Sequence, residues 1–592
     1  MRIKYLDGYR LYYAVLVGGH SVIEDQNYLN KINVFPVPDS DTGTNLASTM
    51  RSIAEGAVLA RPFSTTLRSI SDAALSGARG NSGLIFAQFL YGISEEIKDK
   101  KKVSTQAFGE AVKKAIHHAY KAIVSPVEGT MITVMKDWAE AVYLQRIKKA
   151  DFAELLSDSL QVAKKSLKET PLKLAVLAKA GVVDAGAKGF VDFLEGITNF
   201  IGQGRLKNIT KPKIVWKESD FPVHAPKESV GYRYCSEALM TGKNMDLDRI
   251  REEIQPFGDS AIVAGSDEKA RIHIHTDHPA DLFFRLKNYG SITQIKADDM
   301  LKQHEVSFKR KFKIALVTDS SCDLPQSLID DFQIHVIPFS IGFGDSLFLD
   351  KITITPEQFY TLLKTHKEFP KSSQPSPKTV QSLFSFLASH YESIIIAHIS
   401  DKLSGAFKLS REAASVIKEK KVGLIDSRHL SASLGLIVLR TAEAIKEGKT
   451  HEDIMELAEG WIAKTKIFVD IQTLEYMVRG GRVSSMKGFL AKILNLKPII
   501  SLDDEGKATA FGKSFSRKGN MKKILRLAED FSHKDALWNY SIVHAQNLKR
   551  AQVYAEELEK RFQKKPAYII DISPVIGVHN GIGAVGIALM LK

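Results

Sequence analysis

The amino-acid sequence predicts a multidomain protein with a helical first third, a small α+β middle segment and a C-terminal α/β region. Three observations carry this expectation. The chain has 592 residues, a length that suggests about three domains. In residues 1–205 apolar side chains recur at helix-compatible spacing, as in Leu84-Ile85-Phe86-Ala87-Gln88-Phe89-Leu90 and from Phe152 to Leu167, and strand-like alternation is nearly absent. In residues 313–592 the runs KIALVTDSS, SIIIAHIS, VGLIDS, IFVDI, YSIVHA and AYIIDIS alternate with helical stretches. Most of these runs are continuously apolar, as in strands covered on both faces.

The joints follow from composition. Gly202 to Ser229 is polar with three prolines and reads as a connector. Residues 230–305 mix short alternating strands with helical stretches, and Lys309-Arg310-Lys311 leads into the last region. Several of its strands end in Asp or Ser before a helical pattern, a doubly wound α/β signature with ligands expected beyond the strand ends.

Composition narrows the function classes. Apolar residues make up 44% and charged residues 25%, an ordinary globular mixture. The two cysteines, Cys235 and Cys322, argue against a disulfide framework and fit a reducing, cytoplasmic setting. The first residues lack a signal-peptide pattern, and no run of about 18 uncharged apolar residues suggests a membrane span. The net charge of +14 comes from scattered Lys and Arg with no basic, aromatic-laced stripe, which argues against a nucleic-acid partner.

The acidic loop Pro38-Asp39-Ser40-Asp41-Thr42-Gly43 places two carboxylates, Asp39 and Asp41, on either side of one residue. They can face one magnesium ion, which favours a few carboxylates plus phosphate oxygens; the same pattern also occurs in ordinary turns. Ser76-Gly77-Ala78-Arg79-Gly80-Asn81-Ser82-Gly83 precedes a helical run, and its glycines and the helix N-terminus suit a phosphate; a plain helix–helix turn is the alternative. Gly181 to Gly189 (GVVDAGAKG) is a third glycine-rich segment. No GxxxxGK[ST] occurs, so a P-loop kinase is not expected.

In Arg271-Ile272-His273-Ile274-His275-Thr276-Asp277, strand alternation puts His273 and His275 on one face. With Cys235 they make a three-ligand zinc set; two half-exposed histidines and a buried thiol are the alternative. Farther on, Ser372, Ser373 and Ser404 sit beside Pro or Gly and can donate to a carboxylate held at the end of an apolar pocket. His579 can do the same, and Arg517 is a candidate anion contact. Caps and turns are the alternative for the serines, and a turn histidine for His579. Gly581-Ile582-Gly583-Ala584-Val585-Gly586 mimics a dinucleotide fingerprint but lacks the acidic residue about 20 positions on, and reads as a close-packed helix start.

NVFPVPDSDTGTN (Asn33–Asn45), SGARGNSG, PVEGTM (Pro126–Met131) and GVVDAGAKG together resemble the nucleotide-binding domain of bacterial fatty acid kinase, related to the L subunit of dihydroxyacetone kinase. The resemblance implies an all-α helical barrel over residues 1–205 that holds ATP. Asp39 and Asp41 would hold Mg2+, while Thr44, Asn45, Asn81, Ser82 and Gly83 would line the phosphates. Thr130, Met131, Asp184 and Gly186 would lie near the nucleotide, and Asn33 would add a contact. Ser40 departs from the family's Gly.

GYRYCSEALM and HIHTDHP resemble the middle domain of fatty acid kinase, over residues 225–308. That implies Zn2+ on Cys235, His273 and His275, with His278 as an unassigned neighbour. VTDSSCDLP, SSQPSP, SDKLSGAF, IDSRHLSASLG, TLEYMVRGGRVS, LNLKPII and ISPVIGVHNGIGAVGIA resemble the DegV family of fatty-acid-binding proteins, over residues 312–592. The implied fold has two α/β lobes with an acyl chain between them. Ser372, Ser373, Ser404, Gly405 and His579 would hold its carboxylate, and Arg517 would act in phosphotransfer. Ser372 replaces the usual Thr, and Asp401 and Ala406-Phe407 also depart from the pattern.

The expected function is a fused, ATP- and Mg2+-dependent fatty acid kinase serving phospholipid metabolism. The expected partners are a long-chain fatty acid and a membrane-associated acyltransferase, with a homodimer in the cytoplasm or at the membrane periphery. Rival expectations are a lipid carrier or regulator with an ATP-sensing domain, and a glycerone or polyol kinase.

Overall fold

The computed structural model describes residues 2–36, 41–203, 231–481 and 497–592. Asp39, with the rest of residues 37–40, most of the expected connector (204–230) and residues 482–496 lie outside the described residues. The chain divides into two compact units, one formed by 1–278 with 286–304 and the other by 279–285 with 305–592.

The first unit begins with ten helices: α1 (Gly8–Glu24), α2 (Gln26–Lys31), α3 (Thr42–Gly56), α4 (Phe63–Gly77), α5 (Gly80–Glu96), α6 (Thr105–Ala122), α7 (Met131–Gln145), α8 (Phe152–Lys173), α9 (Ala175–Ala180) and α10 (Ala185–Gln203). Two three-residue strands, β1 (Tyr5–Asp7) and β2 (Lys102–Ser104), pair antiparallel beside them. The packing order α1–α4–α5–α6–α7–α8–α10 returns to α1 and closes on itself. α5 is apolar on nearly every face, the mark of a helix enclosed by others. Its Phe86 ring meets Phe193 edge-on at 4.8 Å and Phe190 at 6.5 Å, and Trp138 of α7 closes on Phe190 at 5.8 Å.

The same unit holds an antiparallel sheet in the order β4-β5-β3-β6, made of β3 (Tyr234–Thr241), β4 (Gly258–Gly265), β5 (Lys269–Thr276) and β6 (Ser291–Asp299), with α11 (Leu247–Ile254) between β3 and β4. Cys235 pairs with His275 and Glu237 with His273 across β3 and β5. The expected alternation holds, with Ile272 and Ile274 on the opposite face. Both histidines are buried, however, so the half-exposed reading fails. The reason is that their face of the sheet is turned to the loop before α5, where Gly80 N–H donates to Glu237.

The second unit includes α12 (Pro279–Leu286) and α13 (Met300–Phe308) in part, followed by two lobes. In the first lobe a parallel sheet, β13-β12-β7-β8, is built from β7 (Ile314–Asp319), β8 (His335–Ile337), β12 (Ser393–His398) and β13 (Lys421–Asp426). A small sheet of β9 (Ser340–Phe343), β10 (Ser346–Leu349) and β11 (Lys371–Ser373) flanks it. Helices α14 (Gln326–Asp331), α15 (Pro356–Thr365), α16 (Pro377–His390), α17 (Ala406–Ala414), α18 (Ser431–Lys446) and α19 (His451–Ala463) fall between these strands and the next lobe.

The other lobe has six strands in the order β16-β15-β14-β19-β17-β18, where β14 is Thr465–Asp470, β15 Lys497–Leu502, β16 Ala508–Ser514, β17 Leu537–His544, β18 Ile569–Asp571 and β19 Val585–Leu591. Its helices are α20 (Glu475–Arg479), α21 (Arg517–Ser532), α22 (Leu548–Phe562) and α23 (Pro574–Asn580). Among the described residues only β17 and β18 pair in parallel here, so the doubly wound expectation holds for the first lobe and fails for the second.

The expected helix start at Gly581 is also corrected. Gly581 and Gly583 take positive φ of 69° and 85° in a tight turn, and a Cβ on Gly583 would lie 1.7 Å from Gln472. The chain then enters β19, a fully buried central strand whose VGIALML composition favours extension over a helix. Among the described residues no helix is long and apolar enough to cross a membrane.

Phe86→Ala should cost about 3–5 kcal/mol, the range for emptying a buried aromatic site. Denaturant unfolding followed by circular dichroism checks this, and a loss under about 1 kcal/mol would contradict the packing described for α5.

Candidate functional sites

The N-termini of α3, α5, α7 and α10 come together. Asp41 precedes α3 and makes no capping hydrogen bond to it. Gly80 opens α5 with φ +57°, and a Cβ there would lie 2.3 Å from Asn45 Nδ2, so Asn45 of α3 sits over the start of α5. A Cβ on Gly186 in α10 would meet Ser82 Oγ of α5 at 2.6 Å, Met131 Cβ of α7 at 3.3 Å and Asp184 Oδ1 at 3.4 Å. Each helix start carries unpaired N–H groups and a partial positive charge, so four together favour a polyanion.

The expected nucleotide residues divide by what they touch. Thr44 fastens α3 to α2: its N–H donates to Asn30 Oδ1 and its hydroxyl accepts from Asn30 Nδ2, both at 3.0 Å. Thr130 precedes α7 without a side-chain cap, its hydroxyl donating to Val127 O at 2.7 Å. Asp184 is buried and accepts from Ala187 N at 2.7 Å, with further backbone hydrogen bonds from Met131 and Gly186, so it binds the starts of α7 and α10 together. Among the described residues Asn81 Oδ1 is buried without a hydrogen-bond partner. Asn33 is buried.

The middle sheet grips the end of α4 and the start of α5. Lys269 Nζ donates to Ser76 Oγ at 2.7 Å and Arg271 Nη1 to Ser76 O at 3.3 Å. Glu237 accepts from Gly80 N at 2.7 Å and from Arg79 Nη1 at 3.1 Å. The sequence reading missed Glu237 and Arg271. The signal was there: Glu237 follows Cys235 by two and shares its face in a strand that is otherwise mostly apolar.

Cys235, His273 and His275 each offer a ligand atom, and these atoms lie within 4.8 Å of one another. Cys235 Sγ is 3.9 Å from His273 Nδ1, and His275 Nδ1 is 3.3 Å from Asp259 Oδ1. Burial, with Glu237 nearby, pushes the thiol well above its ordinary range, and burial lowers His273. Sulfur and imidazole in this number suit zinc with an open fourth position, and a bound cation would reverse the thiol's preference for its proton.

A cavity of about 410 Å3 lies between the lobes of the second unit. This falls in the usual range of about 300–1,000 Å3 for ligand sites. Ser372 and Ser373 of β11, the Ser404-Gly405 turn before α17, and His579 of α23 all line it. Ile399, Ile467, Val469, Ile500 and Val543 form apolar walls. His579 rests against Gly480, where a Cβ would lie 2.1 Å from Nδ1.

Among the further cavity serines that escaped the sequence reading are Ser321 and Ser431. They are tied back to buried carboxylates, Ser321 to Asp319 and Ser431 to Asp323 Oδ2 at 2.5 Å. Burial raises Asp319, but hydrogen bonds from His398 and Ser321 outweigh it and hold the carboxyl below its ordinary range. Arg517 is not among the residues lining the cavity. It opens α21, donates to Gly583 O at 3.3 Å, and its own carbonyl accepts from Arg550 at 2.8 Å.

Family models match three successive stretches: the DAK2 domain at residues 36–199, the middle domain of fatty-acid-kinase-like proteins at 231–307, and the DegV family at 313–592. An uncharacterised protein of Staphylococcus epidermidis is 34% identical over 307 residues, covering 50% of this chain and 56% of its own length. One of Staphylococcus saprophyticus is 33% identical over 319 residues, covering 52% and 58%. The chain therefore spans a little over half the length of these relatives.

Among solved structures, DegV of Bacillus subtilis, a fatty acid binding protein, is 30% identical with a TM-score of 0.45 over 48% of this chain and 100% of that one. A stearic acid-binding protein of Eubacterium ventriosum is 24% identical with a TM-score of 0.44 over 48% and 98%.

Burial pushes the Asp184 carboxyl up from 3.8 to about 6, against its three backbone hydrogen bonds. Its contribution to stability is thus fullest below about 3.8 and is lost as pH rises through about 6. Asp184→Asn keeps the acceptor oxygen and does not ionise. The Tm difference, variant minus wild type, should fall as pH is lowered from 7 to 4, and a difference independent of pH would contradict this assignment.

Proposed function

Given one chain that carries a DAK2 domain, a fatty acid kinase-type middle domain and a DegV domain in that order, we propose that it is a fused fatty acid kinase. It transfers the γ-phosphate of ATP to the carboxylate of a long-chain fatty acid, giving acyl phosphate and ADP. The observation that carries this reading is the pairing, in one polypeptide, of four converging helix N-termini with an apolar cavity that has a hydroxyl- and imidazole-lined portion.

The chemistry needs little covalent help from the protein. A carboxylate oxygen bonds to the γ-phosphorus, the bond from that phosphorus to the β–γ bridging oxygen breaks, and ADP leaves with the electron pair. The acid enters already deprotonated, so no general base is required. Positioning and charge stabilisation supply the catalysis. The starts of α5, α7 and α10 with Asn81 and Ser82 bind the phosphates, and the closed circuit of helices forms the barrel around them. Asp41, with Asp39, would hold Mg2+, whose charge would neutralise that of the phosphates.

In the cavity, Ser372, Ser373, Ser404 and His579 hold the carboxylate while the apolar walls hold the tail. We assign Arg517, which lies within the stretch that matches the DegV family, to the transferring phosphate. Zn2+ on Cys235, His273 and His275 belongs to the same reading. Acyl phosphate is an activated acid, so its consumer would be an acyltransferase, and transfer within one chain or between two copies fits the same chemistry.

The purified chain, given ATP, Mg2+, long-chain fatty acid and hydroxylamine, should form acyl hydroxamate. Asp41→Asn should cut this by about 100-fold or more, the scale of losing one preorganised electrostatic contact, while fatty acid stays bound. Ser404→Ala should weaken fatty acid retention by about 1.5–3 kcal/mol, the worth of a hydrogen bond to a charged group. ATP turnover only with glycerone or polyols would refute the fatty acid reading, and bound lipid without turnover would leave a carrier.

A further inference from the structure

Glu237 is 2% exposed, and its carboxylate is shared between two centres. On one side Oε1 lies 3.3 Å from His273 Nδ1, and that imidazole is 3.9 Å from Cys235 Sγ. On the other side the same Oε1 accepts the N–H of Gly80, the first residue of α5, at 2.7 Å. Oε2 takes Arg79 Nη1 at 3.1 Å and faces Arg271 Nη2 at 3.6 Å. Arg271 in turn holds Ser76 O in the last turn of α4, and Arg79 lies between α4 and α5.

A histidine that binds a divalent cation through one ring nitrogen usually donates the other N–H to a carboxylate, so with Nδ1 on Glu237 it is Nε2 of His273 that would take the cation. Here that partner is also the acceptor for the start of α5, where nucleotide phosphates would bind. A buried carboxylate that holds two groups at once cannot shift toward one without changing its hold on the other.

We propose that Glu237 is a positioning residue that couples cation occupancy at Cys235, His273 and His275 to nucleotide binding at the N-terminus of α5. This rests on the nucleotide reading proposed above. Because coupling between two sites is reciprocal, each ligand must strengthen the other by the same factor.

The test uses the full chain, with zinc removed by chelation and added back, metal content read by atomic absorption, and a fluorescent ATP analogue titrated with Mg2+. The wild type should bind nucleotide at least about fivefold more tightly with zinc than without it, and nucleotide should tighten zinc by the same factor. Cys235→Ser should reproduce the zinc-free nucleotide affinity. Glu237→Gln should bind nucleotide weakly and with no response to zinc. Circular dichroism reports whether that variant folds; if it does not, the wild-type add-back and Cys235→Ser decide the matter. Equal nucleotide affinity with and without zinc in the wild type overturns the coupling, as does a wild type that takes up no zinc. A wild type that binds no nucleotide under any condition overturns the nucleotide reading itself, and the coupling with it.

Discussion

Four helix N-termini cannot be crowded together without something negative between or beside them. Each start exposes unpaired N–H groups and a partial positive charge, and gathering α3, α5, α7 and α10 concentrates both. The protein supplies carboxylates at the seams. Asp184 holds the starts of α7 and α10, Glu237 holds the start of α5 from the neighbouring sheet, and Asp41 stands at the start of α3 without capping it. The remaining positive potential is what an incoming polyphosphate would meet. The middle sheet is thus part of the helical unit's own chemistry, and its contacts with Ser76, Arg79 and Gly80 tie down a glycine-rich stretch.

The cavity in the second unit follows a related rule. Among its hydroxyls, Ser321 and Ser431 are tied back to Asp319 and Asp323, whereas Ser404 accepts from Ala406 N at 3.3 Å and keeps its own O–H for a ligand. Ser372 and Ser373 come from a short strand, and His579 from the end of a short helix. A site assembled from strand ends and helix turns around apolar walls can fix one end of an amphipathic acid while leaving the rest to burial.

Much of this was legible in the sequence. The helices of the first third were visible because their apolar spacing is regular, and six strands of the last region because their runs are apolar and bounded. The histidine pair was placed on one face by period alone. What was not legible came from distance in sequence. Glu237 meets Gly80 across 157 residues and Arg271 meets Ser76 across 195, and no local pattern announces such contacts. β19 was hidden behind a glycine pattern that resembles a helix start, and only the packing of Gly583 against Gln472 makes the turn intelligible. The antiparallel second lobe was missed because β16 reads ATAFGKS, half polar, as an edge strand does.

The central claim is that phosphate passes to a carboxylate carried by this same chain. Carbon-13 NMR of the full chain loaded with carboxyl-labelled long-chain fatty acid tests it most directly. On addition of ATP and Mg2+, the bound carboxylate resonance should give way to a new resonance split by coupling to phosphorus. A carboxylate resonance that stays in place while ATP is consumed would contradict the account.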